Sequence, residues 1–362
     1  MVEAEGITVK ARNAVLATGP YQKPKLPTAS AALSPDICQL HSSEYRNPQM
    51  LPSGAVLVVG TGQSGCQIAE DLYESGRRVY LSTSSCGRAP RRYRGKDTAW
   101  WLTSMGFFDM TPDQLPSPTA GFECVPHISG NHGGDINLHS FVRQGVILLG
   151  HVQAAQGKQI ILAPDLEENL ARADAFERQI MQRIDEYIRK TAVEVETNRT
   201  TTDEVSSNSA TATKPILTLD LQAAGISTIN WARGYQLDFG WVQIAVFDRM
   251  GYPVHKRGIT AFPGYISWVC RDSTRGNRHC YTVSEKTRST SHRRSLAEDR
   301  MRGVLYRCFF ICQVCFERLC CILSSPPPML KISTCSQGLF LFLSCLDISV
   351  IMFYNQDTLI SR

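Results

Sequence analysis

The chain has 362 residues, of which 43% are hydrophobic and 20% charged, enough for two ordinary domains with sizeable cores. Its 26 glycines and 18 prolines exclude a collagen-like or wholly disordered chain. A mean hydropathy of −0.16, with no apolar run of about 20 residues, argues against a multi-span membrane protein.

The formal charge of +5 belongs to one segment, because residues 266–362 hold thirteen basic and seven acidic residues. The rest is near neutral and shows no basic footprint for nucleic acid. Nine of the 13 cysteines crowd into the same segment. Cys38, Cys66, Cys86 and Cys124 are widely spaced, as in a reducing compartment. The opening Val2-Glu3-Ala4-Glu5-Gly6 is acidic and unlike a secretory signal, so the expected location is the cytoplasm.

Residues 7–17 predict two short strands, the second from Asn13 to Ala17. This strand runs into Thr18-Gly19 and then Pro20, Pro24 and Pro27, where a sheet must stop because proline donates no ladder hydrogen bond. Residues 28–50 read as a connector. Ala55-Val56-Leu57-Val58-Val59 is apolar throughout, as in a strand buried on both faces. Gly60-Thr61-Gly62-Gln63-Ser64-Gly65 follows, then a helical pattern with Ile68, Ala69 and Leu72 on one face and Gly76 at the C-cap. Arg78 to Ser82 is the next strand, and residues 86–120 are irregular and at first basic.

Farther on, Gly145–Gly150 and Ile160–Ala163 read as a strand pair across Gly157-Lys158, followed by a long helix from Asp165 to Thr191. Residues 195–214 are Ser/Thr-rich and predict a loop. Residues 225–232 form another strand, and after about residue 266 the pattern dissolves. The apolar run 338–354 has 17 residues with Asp347 inside, short of the roughly 20 needed to span a bilayer, so membrane contact is not expected.

A G-x-G-x-x-G between a buried strand and a helix is a dinucleotide fingerprint. Gly60 would make the turn, Gly62 would let backbone approach a pyrophosphate, and Gly65 would let the helix pack on the strand. The helix N-terminus would supply free N–H groups to the phosphates. An NAD site wants an acid at the end of the second strand. Here that end reads Leu81-Ser82-Thr83-Ser84, followed by Arg88, Arg91 and Arg92, which favours NADPH.

The chemistry visible otherwise is sparse. Cys312-x-x-Cys315 with Cys320-Cys321 lacks zinc-site spacing and a nearby histidine, so no metal is expected. Ser64 lies outside any G-x-S-x-G, and no nucleophile–base pair stands out, so no catalytic residue is assigned. That pattern suits a cofactor enzyme, in which the protein binds and orients.

Four motifs in order resemble the flavin-containing monooxygenase family: Ala17-Thr18-Gly19-Pro20-Tyr21-x-x-Pro24, His41-x-x-x-Tyr45, Gly60-x-Gly62-x-Ser64-Gly65 and Trp231-Ala232-Arg233-Gly234-Tyr235. The resemblance covers residues 7–265 and points to microbial members. It implies an α/β fold with a Rossmann-type NAD(P)-binding domain inserted in a partial FAD-binding domain, within a two-dinucleotide-binding-domain flavoprotein. The corresponding segments are 1–27 (FAD domain), 28–50 (connector), 51–230 (NADP domain, with the loop at 195–214), 231–265 (return to the FAD domain) and 266–362 (unassigned).

The implied reaction uses NADPH and FAD to oxygenate a soft nucleophile, an amine or sulfide, through a flavin hydroperoxide. The resemblance assigns Gly60, Thr61, Gly62, Gln63, Ser64 and Gly65 to the NADPH phosphate loop, Ser82 and Arg88 to the 2′-phosphate, and Thr18 and Gly19 to the first domain crossing. His41 and Tyr45 match the end of the family's identifying motif, although Pro35 and Ile37 replace its phenylalanine and glycine.

Three departures accompany it. The upstream FAD-binding G-x-G-x-x-G is missing, Arg233 replaces a small residue at the second crossing, and the C-terminal flavin-contacting segment is replaced by the unpatterned tail. The expectation is a truncated member that binds a small-molecule substrate. The alternative is a non-catalytic NADP-binding module without flavin.

Overall fold

The computed structural model describes residues 2–4, 7–9, 14–16, 21–107, 126–195, 215–249, 251–256, 259–260, 265–267, 330–335, 338–345 and 348–354. They divide into two compact units, one centred on Tyr21–Asp238 and one built from segments on either side of it.

The central unit runs β1 (Cys38–His41), β2 (Ala55–Val59), α1 (Gln63–Glu74), β3 (Val79–Ser82), α2 (Thr98–Ser104), α3 (Leu138–Arg143), β4 (Ile147–Leu149), β5 (Val152–Gln156), β6 (Gln159–Leu162), α4 (Leu166–Thr191), β7 (Thr218–Asp220) and β8 (Ile226–Trp231). Five of the strands form a parallel sheet in the order β4-β3-β2-β8-β1. β5, β6 and β7 form an antiparallel sheet.

Strand alternation divides the core. Val56, Val58, Val79, Leu81 and Leu148 pack with Cys66, Ile68, Ala69 and Leu72 of α1 and with Leu138 and Phe141 of α3. Leu57, Val59, Tyr80, Leu149 and Trp231 pack on the opposite side with Val152, Ile160, Leu162 and Leu219 of the antiparallel sheet. The layers are therefore helix, parallel sheet and antiparallel sheet, a Rossmann-type core with a β cover. β2 is apolar at every position because both its faces are covered, and all five residues are buried.

Helix α1 starts at Gln63, three residues before the stretch whose periodicity marks it, and closes as expected at Gly76. There the Gly76 N–H donates to Tyr73 O at 2.8 Å and the Arg77 N–H to Leu72 O at 3.1 Å, a Schellman closure. Helix α4 carries Glu167 and Glu168 in its first turn and Arg189 and Lys190 in its last, matching its dipole. It buries Leu170, Ala173, Glu177, Ile180 and Ile184 at alternating three- and four-residue spacing. Ile180 and Ile184 pack with Tyr93 and Trp101.

Two strand expectations are corrected. Residues 147–149 pair in parallel with β3, and the partner of 159–162 across Gly157-Lys158 is 152–156. Both segments are short and apolar, and only burial against two different sheets tells them apart. The connector 28–50 contains β1, which short length and mixed polarity conceal. The loop expected at 195–214 lies almost wholly outside the described residues.

In the second unit, seven strands are ordered His255–Lys256, Ile259–Thr260, Tyr265–Ser267, Ala14–Leu16, Ile348–Tyr354, Gly338–Cys345 and Leu330–Cys335. Val2–Ala4 and Ile7–Val9 pair as a hairpin. Ala14–Leu16 runs parallel to Tyr265–Ser267, so residues on the two sides of the central unit share one sheet. No helix among the described residues is long and apolar enough to cross a membrane.

Candidate functional site

β2 ends at Val59, and the chain turns through Gly60 at φ +115°, a conformation that favours glycine. A Cβ on Gly60 would stand 2.5 Å from the carbonyl oxygen of Ala232, and one on Gly65 would stand 1.9 Å from that of Gly60. The turn thus closes tightly on the start of α1 and on the residue following β8. The Ala232 N–H donates to Val59 O at 2.9 Å and fixes that approach.

From β2 the chain moves outward through β3 and β4, while β8 lies on the other side of β2. The Gly60 turn therefore stands at the carboxyl end of the sheet where strand order reverses, the crevice in which parallel α/β sheets take ligands. Gly62 is the N-cap of α1 and offers no capping side chain. The first-turn N–H groups therefore have no intrahelical acceptor and lie at the positive end of the helix dipole. A pyrophosphate suits this turn.

The expected loop residues play different parts. Thr61 is buried; its N–H reaches Ser84 Oγ at 3.4 Å, and its hydroxyl lies 3.0 Å from that oxygen and accepts the Ser84 N–H at 3.1 Å. Gln63 turns onto the neighbouring chain: its Oε1 accepts the N–H of Ile128 at 2.9 Å and of Ser129 at 3.3 Å, and its Nε2 donates to Ser129 O. Ser64 is exposed in the first turn of α1. Thr61 and Gln63 thus shape the loop with their side chains, while its amides and Ser64 are left to face a ligand.

Ser82 and Arg88, expected at a 2′-phosphate, are corrected to internal roles. Ser82 is fully buried, and its hydroxyl donates to Gly150 O at 2.9 Å. Arg88 is buried, with one guanidinium nitrogen 2.9 Å from Asp174 and 2.5 Å from Glu177, both on α4. Burial works to raise Asp174, but the His139 hydrogen bond and the Arg88 charge hold its carboxyl below the usual range. Burial lifts the Glu177 carboxyl in spite of Arg88. Arg91 pairs with Asp97 and Arg94 with Asp185, while Ser85 and Arg92 are exposed. Thr18 and Gly19 lie outside the described residues.

His41 and Tyr45 brace the frame. The His41 Nε2 lies 2.9 Å from Gly234 O, its Nδ1 accepts the Ser43 N–H at 3.1 Å, and burial lowers its pKa. This is a neutral imidazole tying β1 to the segment that leaves β8. The Tyr45 hydroxyl donates to Asp71 of α1 at 2.6 Å, and burial raises its pKa. Arg233, at the second crossing, is exposed. Lys23–Pro24 pairs with Tyr235–Gln236, so the segments entering and leaving the unit run side by side. Cys38 and Cys66 are free thiols, whereas Cys86 is disulfide-bonded, a departure from the widely spaced reduced cysteines expected.

His127 was not legible as a site residue. It is fully buried behind the turn, with Nδ1 2.9 Å from Thr61 O, and burial and the Arg88 charge push its pKa down to about 4. In sequence it is a lone histidine between Pro126 and Ile128, with no spacing to mark it.

Residues 1–103 match the family model for pyridine nucleotide-disulphide oxidoreductases. An uncharacterized CzcO-like oxidoreductase of Geobacillus kaustophilus is 30% identical over 256 residues, covering 70% of this chain and 56% of that protein. The chain is thus similar to flavin-containing monooxygenase-like FAD/NAD(P) oxidoreductases. The flavin-containing monooxygenase iboF of Amanita muscaria is 38% identical over 90 residues, 24% of this chain and 16% of that one. A solved flavin-containing monooxygenase from Stenotrophomonas maltophilia aligns at a TM-score of 0.39 and 12% identity, over 71% of this chain and 54% of that one. The chain spans about half the length of the curated relatives it matches.

Proposed function

We propose that the central unit is the NADPH-binding part of a flavin-dependent monooxygenase that acts on a soft nucleophile, an amine or a sulfide. The observation that carries the nucleotide reading is the Gly60–Gly65 turn at the switch point of the parallel sheet, closed on Ala232 and opening into α1. The amides of Gly62, Gln63 and Ser64 would hold the pyrophosphate, and the α1 dipole would favour its charge. β3 ends without a carboxylate that would repel a 2′-phosphate, and Ser85 and Arg92 are exposed beyond it. That supports NADPH over NADH.

When bound, NADPH supplies a hydride and FAD the reactivity toward dioxygen that the family name implies. The chain's own contribution is to bind and orient. The Ala232 N–H holds the segment after β8 against the turn and His41 ties it to β1, so a nucleotide on the turn would lie beside the crossing.

A visible absorption spectrum of the purified chain, recorded before and after NADPH addition in air, tests the reading. Flavin bands that bleach and recover support the monooxygenase, whereas a colourless chain that binds NADPH is the non-catalytic module. Gly65→Ala places a methyl group on the Gly60 carbonyl and is expected to weaken NADPH binding at least tenfold by calorimetric titration. Wild-type affinity in that variant would count against the turn as the phosphate site.

A further inference from the structure

His127 stands in no motif, yet its ring is fixed from two directions. Its backbone is clamped beside the β3 extension: its N–H donates to Gly87 O at 3.1 Å, and its carbonyl accepts the Ala89 N–H at 3.1 Å. Its Nδ1 reaches Thr61 O at 2.9 Å. A carbonyl only accepts, so Nδ1 carries the proton, and Nε2 is a buried nitrogen with no hydrogen-bond partner among the described residues. Burial and the Arg88 charge keep the ring neutral, with this single donor.

The bond acts on a peptide plane. In a trans peptide the C=O and the following N–H point in opposite directions. A Thr61 carbonyl held against the buried His127 therefore turns the Gly62 N–H away from it, while the Thr61 hydroxyl on Ser84 holds the same residue from its side chain. We infer that His127 is a positioning residue, which locks the Thr61–Gly62 peptide and so aims the Gly62 N–H at the nucleotide phosphate. This rests on the nucleotide reading above.

Two near-isosteric variants of the full chain separate the idea from a merely structural role. The amide nitrogen of His127→Asn falls where Nδ1 stands and can still donate to Thr61, whereas that of His127→Gln falls near Nε2 and cannot. Deuterium exchange across 60–66 without nucleotide is expected to stay slow in His127→Asn and to quicken in His127→Gln. NADPH affinity at pH 7, measured by titration calorimetry below both Tm values, is expected to be near wild type in Asn and about tenfold weaker in Gln, as the loss of one buried hydrogen bond implies. Equal exchange and affinity in the two variants would overturn the inference. Exchange that differs as expected in a chain whose wild type binds no NADPH would overturn the nucleotide reading and leave the locked turn.

Discussion

A neutral histidine packed behind a turn makes stability depend on pH. The His127 pKa is near 6.5 when unfolded and about 4 in the fold, so between those values the unfolded chain binds the extra proton. The contribution is fully present above pH 6.5 and is lost as pH falls toward 4, on the order of 3 kcal/mol in all. Urea midpoints at pH 7, 6 and 5 are expected to fall in the wild type and to fall less in His127→Asn. Equal slopes would assign the loss to another group that titrates in this range, such as His41, whose pKa burial also lowers. The glycines of the turn were legible because their positions are set by local backbone geometry. His127 was not, because its partner lies 66 residues away and no local pattern announces it.

At the scale of elements, Arg88 ties the extension of β3 to the middle of α4. Reading Arg88, Arg91 and Arg92 as phosphate-facing was reasonable from sequence, since no acid stands near Arg88. Its partners Asp174 and Glu177 lie on one face of a helix that begins almost eighty residues later, and only packing brings them there. Arg88→Met would leave Asp174 and Glu177 without their shared cation, at a cost of about 3–5 kcal/mol. The measurement is the guanidinium unfolding midpoint, and a loss below about 1 kcal/mol would mean that water already screens this pair. Helices α1 and α4 and strand β2 were legible from periodicity and unbroken apolar runs, whereas α2, inside the stretch 86–120 read as irregular, and α3 are too short to show a period. β1 was not, because four residues of mixed polarity are too few to show a period, and β4 was legible as a strand but not in its partner, which is set by packing.

At the scale of the molecule, Tyr21–Asp238 has its own two core layers, and its entering and leaving strands pair. A unit whose ends lie side by side can be excised without cutting its core. A fragment of residues 21–238 is expected to unfold in a single cooperative transition and to bind NADPH as the full chain does. A fragment with no thermal transition would show that the unit needs the segments on either side of it.

What the sequence alone determined is the strand–turn–helix at 55–74, because steric demands at Gly60 and Gly65 and a doubly buried strand leave a local mark. It also carried the resemblance to the flavin-containing monooxygenases, through four motifs in order. Only the tertiary structure decided which polar side chains face inward. Ser82, Arg88 and His127 are chemically suited to a ligand, yet each spends its polar group on a partner at least 66 residues away. Desolvation makes such a partner obligatory once a group is buried, and burial is a property of the packed layers that no local stretch of residues records.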